Sequence, residues 1–180
     1  MIYLVGVEHT NSQWQYQNGS NKNSVAGFTN FLRSNIRLFD IRVIAEELSE
    51  ECLEQQGVNR STAQKVAQEF HIQHLFCEPS VMERKDLGIL SPEEISEKLF
   101  PNKLYWQIPE DSFEQQQINE EIRKLFPKRE NFWLSKINHL RKENVIFICG
   151  KSHVKSFGNL LEENGFEISI LNLGSTGRMV

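Results

Sequence analysis

Val145-Ile146-Phe147-Ile148-Cys149-Gly150-Lys151-Ser152-His153 is the stretch whose reading decides the fold. Five consecutive apolar residues, most of them β-branched or aromatic, form a strand with no wet face, so the pattern predicts a strand of a parallel sheet covered by helices on both sides. Gly150 closes the run, and His153 follows as the end of a Gly-x-x-His motif. The N-terminus repeats the arrangement, with Ile2-Tyr3-Leu4-Val5 leading into Gly6-Val7-Glu8-His9. The 10 glycines and 5 histidines among 180 residues would give about 0.3 such motifs by chance. Two copies, each directly after a strand-like run, therefore point to a pair of imidazoles placed at strand ends.

Working outward, β-rich runs alternate with helical periodicity, the order expected of an α/β fold with a mainly parallel central sheet flanked by helices. Residues 2–7 read as the first strand. Residues 11–23, rich in Gln, Asn and Ser and broken by Gly19, read as a loop. Val25, Phe28, Leu32, Ile36 and Phe39 recur at three- and four-residue spacing and predict a helix over 24–39. Residues 41–45 form the second strand and end in Glu46-Glu47. A helical stretch follows, in which Ser61 to Gln64 reads as a capping box. Residues 71–77 form a third strand, stopped at Glu78-Pro79 because proline has no N–H for a ladder.

Between the third and fourth strands, residues 80–128 carry Pro92, Pro101, Pro109 and Pro127 and read as short helices forming an insertion or lid. Ser91-Pro92-Glu93-Glu94 joins a cap, a first-turn proline and a capping acid, and Asp111 to Glu114 repeats the pattern. A helix over 129–142 turns Phe132, Trp133, Ile137 and Leu140 inward. After His153, Phe157, Leu160 and Leu161 define another helix, ended by Asn164-Gly165, and 166–171 is the last strand. The expected organisation is one α/β domain over 1–173 with a flexible tail over 174–180.

Composition narrows the function classes. A net charge of −4 with scattered Lys and Arg offers no basic field for a nucleic-acid backbone. The three cysteines, Cys52, Cys77 and Cys149, are far apart and lack CxxC spacing, which fits a reducing cytoplasm better than a disulfide framework or thiolate zinc site. The sequence shows no signal peptide and no apolar run near the ~18 residues a membrane span requires, so the expectation is a cytoplasmic protein without membrane partners. Homo-oligomers are compatible with this composition.

In open α/β sheets ligands bind at the carboxyl ends of the strands. Four strand ends here carry a chemical group: His9, Glu46-Glu47, Glu78 and His153. Two imidazoles and a carboxylate make a hydrolytic metal site with a position left for water, so His9, His153 and one of Glu46 and Glu47 are the candidate ligands of a divalent Zn, Mn or Co ion. The same set serves without metal, one histidine acting as base and a carboxylate fixing its tautomer. Gly6 and Gly150 are the positions at which a ligand could approach the backbone. Glu46 and Glu47 alternate in direction if both are still in the strand, so at most one of them should face the site. Glu8 and Glu78 are further ligand or base candidates, and an Arg of the basic cluster, Arg129 among them, is the group that could stabilise developing negative charge. His71, His74 and His139 read as structural.

These residues give the chain a resemblance to the TraB/PrgY and Tiki superfamily, which includes erythromycin esterase-like and ChaN-like proteins. The resemblance lies in Gly6 to His9, in Val43-Ile44-Ala45-Glu46-Glu47-Leu48, where Glu47 is the better match, and in Gly150 to His153. Arg129-Glu130 resembles the family's Glu-Arg or Arg-Asp helix start, and Glu83-Arg84 with Leu87-Gly88 its arginine-containing segment. The chain is shorter than most relatives. The resemblance implies hydrolysis of a peptide, ester or amide, metal-dependent as in Tiki proteins or metal-free as in erythromycin esterases. The competing expectations are a non-enzymatic protein that binds a small ligand or haem-iron, and a toxin or effector using the same cleft.

Overall fold

The computed structural model describes residues 1–8 and 22–173. His9, residues 11–21 of the predicted loop and the 174–180 tail lie outside them. The elements run β1 (Ile2–Val7), α1 (Lys22–Leu38), β2 (Val43–Glu46), α2 (Glu50–Gln55), α3 (Thr62–Glu69), β3 (Gln73–Phe76), α4 (Val81–Leu87), α5 (Pro92–Leu99), α6 (Phe113–Lys124), α7 (Phe126–Ile137), β4 (Val145–Gly150), α8 (Val154–Glu163) and β5 (Ile168–Leu171). The five strands form one all-parallel sheet in the order β3-β2-β4-β1-β5.

Every residue of β4 is buried, as its unbroken apolar run requires. One face of the sheet carries Leu4, Ala45, Phe147 and Cys149 and is covered by Trp133 and Ile137 of α7 with Phe157 and Leu161 of α8. The other carries Val5, Ile44, Ile146 and Ile148 and is covered by Phe28, Leu32 and Ile36 of α1 with Ala63 and Val66 of α3. Strand alternation thus assigns even- and odd-numbered residues of β2 to different layers.

The connections position the site. From β2 the chain runs outward to its neighbour β3, whereas from β4 it crosses β1 to reach β5. The chain therefore parts at the boundary between β2 and β4, the kind of switch point where an open parallel sheet leaves a crevice at its carboxyl edge. Four α-helices, α4 to α7, lie between β3 and β4 in the chain. Among them α5 and α6 bury Ile95 and Ile118, with Ile108, in a small core of their own.

Several boundaries move, each for a local reason. The Ile41 N–H bonds back to Ile36 O and finishes the α1 end, so β2 begins at Val43. His71 takes a left-handed φ of 55° and Ile72 N–H bonds Ala67 O, so these residues terminate α3 and leave β3 shorter than predicted. Ser112, not Asp111, caps α6 through the Gln115 N–H. Ser61 caps α3 by accepting from Gln64 N–H, but the Gln64 side chain does not return the bond. Lys22 and Asn23, expected in the loop, already belong to α1, and α7 begins at Phe126 rather than Arg129.

Candidate active site

The site grows from the end of β2. Glu47 follows the last ladder residue, its N–H bonding Ile148 O at 2.8 Å, which fixes its backbone against β4. Its carboxylate turns to the α7 and α8 layer. Oε2 accepts from the Gly150 N–H at 2.6 Å and Oε1 from Arg129 Nη2 at 2.5 Å. The residue is 7% exposed. A carboxylate in such a place is stabilised only if its lone pairs meet donors, and both oxygens do.

Arg129, from the second turn of α7, bridges two acids. Nη2 also reaches Glu78 Oε2 at 2.8 Å, and Glu78 Oε2 accepts from Trp133 Nε1 at 3.2 Å. Glu78 Oε1 is paired with Arg84 of α4, the most open member of the group. Burial pushes the Glu78 carboxyl up, but the Arg129 and Arg84 guanidiniums outweigh it and hold it below the ordinary carboxylate value. Burial works against the Arg129 charge as well, and the nearby Glu47 and Glu78 more than offset it, so this guanidinium is held protonated more firmly than usual. Arg129 Nε is buried with no partner among the described residues.

His153 stands at the start of α8, its N–H closing a turn onto Gly150 O at 2.9 Å. Its ring is enclosed by Phe126, with centroids 3.7 Å apart, and by Trp133 edge-on at 4.8 Å. Nδ1 lies 2.8 Å from Glu130 Oε1, Nε2 lies 3.5 Å from Arg129 Nη1, and Glu47 Oε1 is 3.9 Å away. Ser156 Oγ donates to the same Glu130 oxygen at 2.5 Å.

Five of the residues singled out from sequence are therefore neighbours: Glu47, Glu78, Arg84, Arg129 and His153. Others lie elsewhere. Glu46 turns to the α1 and α3 layer, fully buried, where Oε1 accepts from Ser61 Oγ at 2.5 Å and meets His74 Nε2 at 2.8 Å. Glu8 pairs with Lys151 at 2.9 Å and lines a cavity of about 770 Å³ between β1, β5 and α8. Gly6 sits in β1 beneath that turn, where an added Cβ would come within 2.8 Å of Val154 Cγ2, so its lack of a side chain serves close packing. Gly150 uses its N–H on Glu47, and neither glycine has a positive φ.

Sequence reasoning missed Glu130, Phe126 and Ser156. Glu130 was visible in one respect: with Trp133 and Ile137 it lies at i, i+3, i+7, and all three are buried, so an acid occupies the inward stripe of α7. A buried acid on an apolar stripe needs a partner, and the partner is His153.

The geometry offers a basic nitrogen held by a carboxylate beside a guanidinium clamped by two acids. Of the proposed metal ligands, Glu47 and His153 are close to one another and His9 lies outside the described residues. Among the described residues, no three His, Cys, Asp or Glu side chains converge as metal ligands. The space between Glu47 and His153 Nε2 is bordered by Arg129, whose charge already serves the carboxylates. No helix among the described residues is long and apolar enough to cross a membrane. Comparison with family models, with curated proteins and with solved structures gives no match.

Proposed function

We propose that the chain is a hydrolase of a neutral peptide, ester or amide, working through His153, Glu47 and Arg129 at the β2–β4 boundary. The observation that carries this reading is the buried imidazole of His153, bonded at Nδ1 to Glu130 and with Nε2 3.5 Å from Arg129 Nη1. An imidazole fixed in this way is a general base that needs no further orientation. In the step we envisage, a water oxygen bonds to the acyl carbon while its proton passes to Nε2. The carbonyl oxygen takes up the electron pair, and its charge develops beside Arg129. Collapse breaks the bond to the leaving group, which receives the proton from Nε2. Both proton transfers use one nitrogen, and Glu47 with Glu78 keep the guanidinium in place. The resemblance to the TraB/PrgY and Tiki superfamily supports the same reaction class.

The proposal has two forms. In one, Zn, Mn or Co sits on Glu47, His153 and His9; in the other, Arg129 supplies the positive charge. Arg129 carries the second form further, because a divalent ion beside Glu47 would have to compete with a cation already bonded to that carboxylate. Element analysis of purified protein, followed by an ester and amide screen with and without chelator, tests both. Turnover that survives chelation in protein holding substoichiometric metal is the expected outcome; stoichiometric metal whose removal abolishes turnover would establish the other form.

The cavity of about 770 Å³ favours one alternative, a binder of a small ligand, since its lining joins apolar Val154, Ile168 and Leu171 to polar Glu8, Asn159 and Asn172. That reading predicts saturable binding and no turnover in the same screen.

A further inference from the structure

We infer that Glu130 is the positioning residue of this centre, fixing His153 in the Nδ1–H tautomer and matching the positive charge the ring acquires during the reaction. The use of that tautomer rests on the hydrolytic reading; the tautomer itself rests on geometry. The shorter of two contacts requires it and the longer is compatible with it. An ionised carboxylate only accepts, so the 2.8 Å contact between Glu130 Oε1 and Nδ1 requires a proton on Nδ1. A guanidinium only donates, so Arg129 Nη1, 3.5 Å from Nε2, faces a lone pair there. The neutral ring that satisfies both neighbours has one arrangement, with the basic nitrogen directed at Arg129 and Glu47.

The ion pairs around the ring leave Glu130 to the imidazole. Glu78 pairs with Arg84 and Arg129, and Glu47 with Arg129, while Glu130 bonds His153 and the Ser156 hydroxyl. The two guanidiniums thus answer two carboxylates, and the third carboxylate faces the imidazole. When water gives its proton to Nε2, the imidazolium formed lies against a negative charge already in place, an interaction stronger in the transition state than before it. No proton passes through Glu130 in this step. Phe126 and Trp133 hold the ring plane, so the carboxylate has only the tautomer to select.

The test is ¹⁵N NMR of histidine-labelled protein at about pH 8, above the ordinary imidazole range, with the His153 signals identified by their loss in His153→Gln. The expected wild-type spectrum has a protonated Nδ1 and a pyridine-like Nε2. In Glu130→Gln the amide no longer enforces a donor at Nδ1, so the two nitrogens should shift toward one another as tautomers mix. With a substrate in hand, the same variant should lose kcat on the order of a hundredfold or more with KM held. A wild-type Nε2–H tautomer overturns the assignment, and it does so even if Glu130→Gln fails to fold. A folded Glu130→Gln protein with unchanged ¹⁵N shifts overturns it too. An Nδ1–H tautomer in protein that hydrolyses nothing upholds the positioning role and refutes only the hydrolytic reading.

Discussion

Glu78 shows how much of this centre is electrostatic. Its side chain is 8% exposed, so desolvation alone would favour the acid form, yet two guanidiniums hold the carboxyl below its ordinary value of 4.5. A folded value below the unfolded one means that the unfolded chain takes up its proton first as acid is added. The stability contributed is complete above about pH 4.5 and is lost as the pH falls through the depressed folded value. Glu78→Gln is therefore expected to cost about 3 kcal/mol near neutral pH, because it leaves Arg129 and Arg84 short of a partner. Urea unfolding across pH should show the gap to wild type narrowing below about pH 4.5. A gap that instead widened as the pH fell toward 4.5 would show the carboxyl to be raised. At this scale the sequence was informative about which side chains meet: the strand-end position of Glu47, Glu78 and His153 follows from reading strands and their stops. Strand alternation left open which of Glu46 and Glu47 faces His153, because it gives opposite directions without saying which layer holds α8, and only the resemblance favoured Glu47. Glu130 was hidden for a related reason. An acid in the first turns of a helix is the ordinary solvated choice, and only its register with Trp133 and Ile137 betrays it.

Among the elements, the turn from β4 into α8 matters most, since it carries Gly150, Lys151 and His153 together. It lies on Gly6 of β1, with room for no more than a hydrogen. Gly6→Ala would place a Cβ 2.8 Å from Val154 Cγ2 and 3.3 Å from the Lys151 Cα. Overpacking of this kind costs roughly 1–3 kcal/mol, and the strain falls on the segment that holds His153. Adding Val154→Ala should recover part of that loss in a thermal melt; no recovery would place the clash on the Lys151 backbone. The helix α4 offers a gentler probe. Ser80 caps it reciprocally with Glu83, and α4 brings Arg84 to Glu78. Ser80→Ala should cost about 1 kcal/mol and loosen Arg84 without touching the core; urea unfolding measures the first. The central strand and the capped start of α5 at Ser91-Pro92-Glu93-Glu94 were legible because one residue pattern decides each. The ends of β2 and β3 were not, because Ile41 and Ile72 are as apolar as strand residues, and only the closing bonds of α1 and α3 claim them.

Across the whole molecule, one sheet edge gathers groups from β2, β3, α4, α7 and α8, elements far apart in sequence. That convergence is a consequence of topology: β4 inserts between β2 and β1, so residues after the second and fourth strands become neighbours. The order of strands could not be read from the chain, since a run of five apolar residues is equally at home at any central position. The twin Gly-x-x-His motifs do share the carboxyl edge at their glycines, as Gly6 pairs with Cys149 in adjacent strands. The centre described here is the part built around the second of them. Its claim is most directly tested by turnover of an ester and amide panel with wild-type protein and with His153→Gln, compared at equal folded concentration by circular dichroism. Hydrolysis by wild type that falls at least a hundredfold in the variant is the predicted result; hydrolysis of equal rate in the two proteins would contradict it.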